Sequence, residues 1–89
     1  GPEEYFEKFH SDLGLPPEVL GIARDIWGEV KESLTWQGKK PSGVAGVILY
    51  WASQKSSSSR TQSEVCNVAG ISEVTLRGLL KILGQHVDG

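Results

Sequence analysis

The chain has 89 residues, a formal net charge of −2 and 38% hydrophobic residues, three of them Trp. That is the size of one small domain, with apolar bulk for one core and too much for a disordered chain. The longest strongly apolar stretch, residues 44–52, falls far short of the ~20 residues a membrane helix needs, so no span is expected. Residues 3–13 place Tyr5, Phe6, Phe9 and Leu13 at helical spacing. Glu3, Glu4 and Glu7 suit the positive end of that helix, and Gly14 suits its stop. Pro16-Pro17 opens a second helix. Its apolar positions Val19, Ile22, Ala23, Ile26, Trp27, Val30 and Leu34 follow a period near 3.6, which predicts an amphipathic helix running to about residues 33–35. Residues 36–40 read as a loop ending at Pro41.

Residues 44–52 are apolar on nearly every side, which fits a buried strand or a buried helix. The continuation through Ser53-Gln54-Lys55 and the start at Pro41 favour a helix, the central one of an all-helical bundle. Ala45, Gly46 and Ala52 would let its neighbours approach closely. Ser56 to Ser59 is a run of four serines, read as a flexible loop.

The last third carries the most information. Thr61-Gln-Ser-Glu64 has the form of a capping box. Its helix holds Val65, Cys66, Val68 and Ala69 and stops at Gly70. Ser72 then caps a final helix with Val74, Leu76, Leu79, Leu80, Leu83 and Val87. A short helix, a tight turn with a left-handed Gly and a longer helix make a helix-turn-helix over about residues 61–86. Cys66 is its small interior residue, and Val65, Ala69, Ile71, Leu76 and Leu79 form its apolar lock. Ser72, Glu73, Thr75, Arg77 and Lys81 face outward, with Val74 near the edge. Many helix pairs share this turn and bind nothing, so the outline alone does not assign DNA binding.

Charge divides along the chain. Residues 1–35 hold eight acids and three bases, and residues 36–89 hold six bases and three acids. A basic face can therefore exist despite the negative mean. Lys39, Lys40, Arg77 and Lys81 are expected on one face, away from most acids of the first half.

Three segments together resemble a known family: Pro41 to Ser53, Arg60 to Val65, and Val68 to Arg77. They are similar to the second cyclin-like repeat of transcription initiation factor IIB, called TFB in archaea, and the resemblance covers nearly the whole chain. It implies an all-α, five-helix cyclin-like fold ending in a helix-turn-helix, with residues 1–89 as one domain. Full proteins of the family add a zinc ribbon and a first repeat, so the chain would be an excised domain. Gly1-Pro2 fits a protease scar, and no charged-then-apolar leader opens the sequence.

In that family the final helix-turn-helix enters the major groove beside the TATA box and reads an upstream recognition element. Val74, Thr75, Arg77 and Lys81 match DNA-contacting positions. Arg can grip guanine O6 and N7 with two hydrogen bonds, and Val can touch a thymine methyl. Thr75 and Lys81 suit base edges or phosphates. The helix start at Ser72 suits a phosphate. Residues 38–41 resemble the family's Gly-Arg-Ser/Thr-Pro loop, which implies that Lys39 and Lys40 approach the phosphate backbone. The implied partners are promoter DNA, TATA-binding protein and, through the full-length factor, RNA polymerase. The isolated domain is expected to be a monomer. The implied compartment is the nucleus in a eukaryote and the cytoplasm in an archaeon.

The chain also departs from the family. Ser63 stands where relatives often carry Lys or Arg, and Gly78-Leu79-Leu80 replaces a more polar stretch. A Gly inside a helix costs roughly 1 kcal/mol relative to Ala. Fewer bases on this face imply weak DNA binding by the domain alone. The alternative is a cyclin-like protein-interaction module of a divergent factor with weak or lost DNA binding.

The remaining chemistry points away from catalysis. No Ser-His-Asp, Cys-His, paired-carboxylate or phosphate-loop pattern is present, so neither an enzyme nor a cofactor is expected. The lone Cys66 reads as a packed thiol and fits a reducing compartment. Without a CxxC or a His–Cys cluster, no metal site is expected. His10 and His86 lack ligand spacing and suit surface or capping roles. Trp27 and Trp51 fall on core faces. Packing is favoured for Trp36, with an exposed partner contact as the other reading.

Overall fold

A computed structural model describes residues 1–87. The last two residues of the expected 1–89 domain lie outside the described residues. Among the described residues there are five α-helices and no strand: α1 (Phe6–Asp12), α2 (Pro17–Val30), α3 (Pro41–Gln54), α4 (Gln62–Ala69) and α5 (Glu73–Gly84). Short 3-10 turns span Pro2–Tyr5 and Leu34–Trp36.

α3 is the axis of the bundle, and α1, α2, α4 and α5 all pack on it. Its residues 42 to 49, with Ala52 and Ser53, are buried, as expected of a helix apolar on all sides. The run thus resolves as helix, with Pro41 in its first turn. Gly46 sets one helix separation. A Cβ built there would lie 2.8 Å from the Cβ of Ala69, closer than two real side chains come. α4 therefore sits against the backbone of α3.

Three details differ from the sequence reading. The first helix begins as a 3-10 turn, which leaves Tyr5 partly exposed, its ring 5.4 Å from that of Phe9. α2 stops at Val30, short of residues 33–35, and Leu34 is 76% exposed. The Val30 carbonyl accepts instead from the Ser33 N–H and from the indole N–H of the buried Trp36, each at 3.0 Å. A continuing α-helix would offer that carbonyl to the N–H of Leu34. Ser33 then caps the 3-10 turn that carries Trp36 back to the core. Trp27 and Trp51 pack against the core, as expected, and stay half-buried at its rim.

The serine loop is anchored by Arg60. Its guanidinium donates to the carbonyls of Leu13 and Gly14, each at 2.8 Å, and to those of Ser58 and Ser59. Gly14 turns there with φ +61°. Both histidines cap backbone. His10 Nε2 lies 2.8 Å from the Pro16 carbonyl, and His86 Nδ1 lies 3.0 Å from that of Ile82.

Candidate nucleic-acid interface

The helix-turn-helix is built by local rules. Thr61 Oγ1 accepts from the Glu64 N–H at 3.1 Å, and Glu64 Oε1 accepts from the Thr61 N–H at 2.9 Å, a complete capping box. The Thr61 N–H, then its hydroxyl, hold the Glu64 carboxyl below its ordinary pKa. Gly70 closes α4 with φ +70°, a left-handed turn that strains any residue with a Cβ. Ser72 then caps α5, accepting from the Thr75 N–H and donating to Thr75 Oγ1, both at 3.1 Å. Leu76, Leu79 and Leu83 bury one face of α5. Burial pushes the pKa of the Cys66 thiol up.

The turn is held against the start of α3. A Cβ at Gly43 would meet Leu79 Cδ1 at 3.2 Å and Ile71 Cγ2 at 3.4 Å. This seating opens a shallow groove between the Lys39-Lys40 loop and the first turn of α5, where Lys39, Lys40, Ser72 and Thr75 are neighbours. Gly38, with φ +77°, turns the chain into that loop. The first turn of α3 carries no acid, and two lysines precede it. Cations at a helix N-terminus oppose the dipole and add nothing to helix stability. Together with the N-terminus of α5, they make a groove that favours anions.

The remaining candidates lie around the exposed arc of α5. Val74 is 73% exposed, further out than the expected edge position. At about 100° per residue, Val74 and Lys81 point opposite the buried face, and Arg77 lies about 160° round the helix from Thr75. Arg77 Nη1 stands 3.8 Å from Glu73 Oε1, an ion pair with both side chains more than half exposed. Such a pair is weak and leaves Arg77 free to exchange partners. Its signal was in the sequence, since Glu and Arg four apart on a helix meet. So the four bases do not form one flat face. Lys39 and Lys40 flank the Thr75 side of α5, Lys81 its crest and Arg77 the other side.

Of the first-half acids, Glu3 and Glu4 lie in the opening 3-10 turn, Glu32 just past α2, and the others on α1 and α2, where Glu7 pairs with Arg24 at 3.1 Å and Asp12 with Lys8 at 2.9 Å. Among the described residues, no group of three His, Cys, Asp or Glu could hold a metal ion. No described helix is long and apolar enough to cross a membrane.

The chain is similar to known proteins along nearly its whole length. The family model for the transcription factor TFIIB repeat matches residues 1–86. A transcription initiation factor IIB of Methanocaldococcus jannaschii is 42% identical over 87 residues, 98% of this chain and 13% of the relative. Transcription initiation factor IIB 2 of Haloferax volcanii is 42% identical over 88 residues, 99% of this chain and 26% of the relative. Transcription initiation factor IIB 3 of Halobacterium salinarum is 45% identical over 76 residues, 85% of this chain and 24% of the relative. The chain thus spans about a quarter or less of the length of these relatives. With the family model matched from Gly1 to His86 and a helix-turn-helix at the end of five helices, the chain belongs to the family of transcription factor TFIIB repeats.

Proposed function

We propose that residues 1–89 form one DNA-reading domain, the second repeat of a IIB-type general transcription initiation factor. It binds promoter DNA beside the TATA box together with TATA-binding protein, and through the full-length factor it helps recruit RNA polymerase. The observation that carries this reading is α5 itself: capped by Ser72, locked by Leu76 and Leu79, and presenting Val74, Thr75, Arg77 and Lys81 outward. Arg77 takes a guanine edge in the major groove, and Val74 takes a thymine methyl. Thr75 and Lys81 hold base edges or phosphates. Lys39, Lys40 and the α5 start at Ser72 grip the backbone and fix the register.

No cofactor enters this function. The domain acts as a monomer and is weak alone, so TATA-binding protein supplies part of the affinity. The relatives named above are archaeal, which favours the cytoplasm as its compartment; in a eukaryote it would be the nucleus. A salt-dependent gel-shift series on promoter DNA, with and without TATA-binding protein, tests the proposal. The expected result is a further shift of the TATA-binding protein complex that falls steeply with salt. Failure to shift that complex favours the second reading, a protein-interaction module. The pairing of Arg77 with Glu73 and the acidic surface of α1 and α2 are the observations on its side.

A further inference from the structure

α2 and α5 both pack on α3 but scarcely touch each other through their helical residues. Between them the surface of α3 lies open, floored by Trp51. On one side of Trp51 the trough, about 350 Å³, runs over Tyr50 to Leu80 of α5. On the other side, about 400 Å³, it runs to Ile22 and Ile26 of α2 and to Val87. The trough lies on the flank of α5 away from Thr75, and the inference drawn from it does not depend on DNA binding.

We propose that this trough is a docking site for a basic amphipathic helix of a partner protein. Three observations select that occupant. The described residues contain no sheet edge, so strand addition is closed, and an apolar groove between two helices suits helix-in-groove docking. Ile22 and Ile26 stand one helical turn apart on the α2 wall, Ile22 half-buried and Ile26 packed into the core, and give that wall an apolar strip which the stripe of a second helix fits. Asp25 and Glu29, also one turn apart, line the same wall, and among the described residues neither is in an ion pair. The strip presents apolar contact and the rim two carboxylates, which complement a helix with Lys or Arg beside its apolar stripe. Lys55, whose ammonium lies 5.9 Å from the Trp51 ring centroid, lines both halves of the trough, and its like charge directs the partner's bases to the Asp25 and Glu29 wall.

The probe is a peptide of about 14 residues, matched to the 14 of α2, with a Leu stripe at helical spacing and Lys elsewhere. It is titrated into the 89-residue chain and followed by amide and indole NMR shifts. The expected shifts centre on Ile22, Trp51 and Leu80, including the Trp51 indole N–H. The same peptide with Glu for Lys should not bind. The exposed pair Asp25→Lys and Glu29→Lys should weaken binding about tenfold without unfolding the domain. Trp51→Leu should abolish the central shifts, and its folding is checked by the unchanged remainder of the spectrum. Shifts scattered over the acids of α1, equal binding of the Glu peptide, or indifference to the double reversal would each overturn the proposal. So would the same shifts arising from protein concentration alone, which would make the occupant a second copy of the chain.

Discussion

Gly46→Ala tests the packing that positions the helix-turn-helix. The new methyl would stand 2.8 Å from Ala69 Cβ and 3.5 Å from Val65 Cγ1. Ala69 has no rotamer with which to yield, so α3 and α4 must separate. Overpacking of this kind costs about 1–3 kcal/mol. The helix gains about 1 kcal/mol in return, because Ala is the better helix former. Steric contact with a rigid neighbour should use the upper part of that range, leaving a net loss of about 2 kcal/mol. For a domain of this size that lowers the melting temperature by about 8–16 °C. Gly78→Ala is the internal control: nothing lies within 4 Å of its Cβ, and the same exchange should stabilise by about 0.5–1 kcal/mol. Adding Ala69→Gly to Gly46→Ala should recover part of the loss, read as a positive coupling in a double-mutant cycle. Thermal melts followed by circular dichroism decide the matter. If Gly46→Ala stabilised the chain as Gly78→Ala does, the close approach of α3 and α4 would be wrong.

Four further outcomes are expected. Arg60→Ala removes donors from four carbonyls and should cost about 2 kcal/mol in urea unfolding, with Arg60→Lys recovering little because an ammonium lacks the guanidinium fork. Thr61→Ala should cost about 1 kcal/mol as a lost N-cap. The folded-state pKa of Glu64 lies below its unfolded value, so its contribution is present above the ordinary carboxylate range and lost as pH falls through it. Wild type should therefore lose more stability than Glu64→Gln between neutral and acid pH, and equal losses would show that the capping box is not formed. Lys39→Glu with Lys40→Glu should weaken promoter binding to a similar degree on every sequence and reduce its salt dependence, whereas an altered base preference would move these residues from phosphate to base.

The elements that were legible in the sequence are those whose signals are local. Thr61 and Glu64, Gly70 and Ser72 mark helix ends through their own backbones, and the structure places those ends where the residues do. The buried α3 was legible from its all-round apolarity. What escaped depends on contacts distant along the chain. Nothing near Arg60 announces that it will reach Leu13 and Gly14, 47 and 46 residues away. Leu34 continued the period of α2, yet two competing donors, the Ser33 N–H and the Trp36 indole, took the carbonyl the helix needed. The half-exposure of Trp51 follows from the failure of α2 and α5 to close over it, which periodicity does not encode. The spread of Arg77 and Thr75 round α5 was calculable from helical spacing, although which flank faced Lys39 required the fold.

The central claim is that α5 reads base sequence, and Arg77→Ala tests it most directly. It is the only Arg on α5, at the flank opposite Thr75, and no other residue of the helix can supply its two-pronged grip on guanine. The measurement is the affinity of the domain for a complex of TATA-binding protein with promoter DNA, on the preferred upstream element and on one with a single guanine replaced. The account predicts that Arg77→Ala loses about 1–3 kcal/mol on the guanine-containing site and much less on the replaced one. Lys81→Ala should instead lower both and flatten the salt dependence. Equal loss on both sites for Arg77→Ala would make it a phosphate contact and leave readout to Val74 and Thr75. No loss on either would contradict a DNA-reading role for α5.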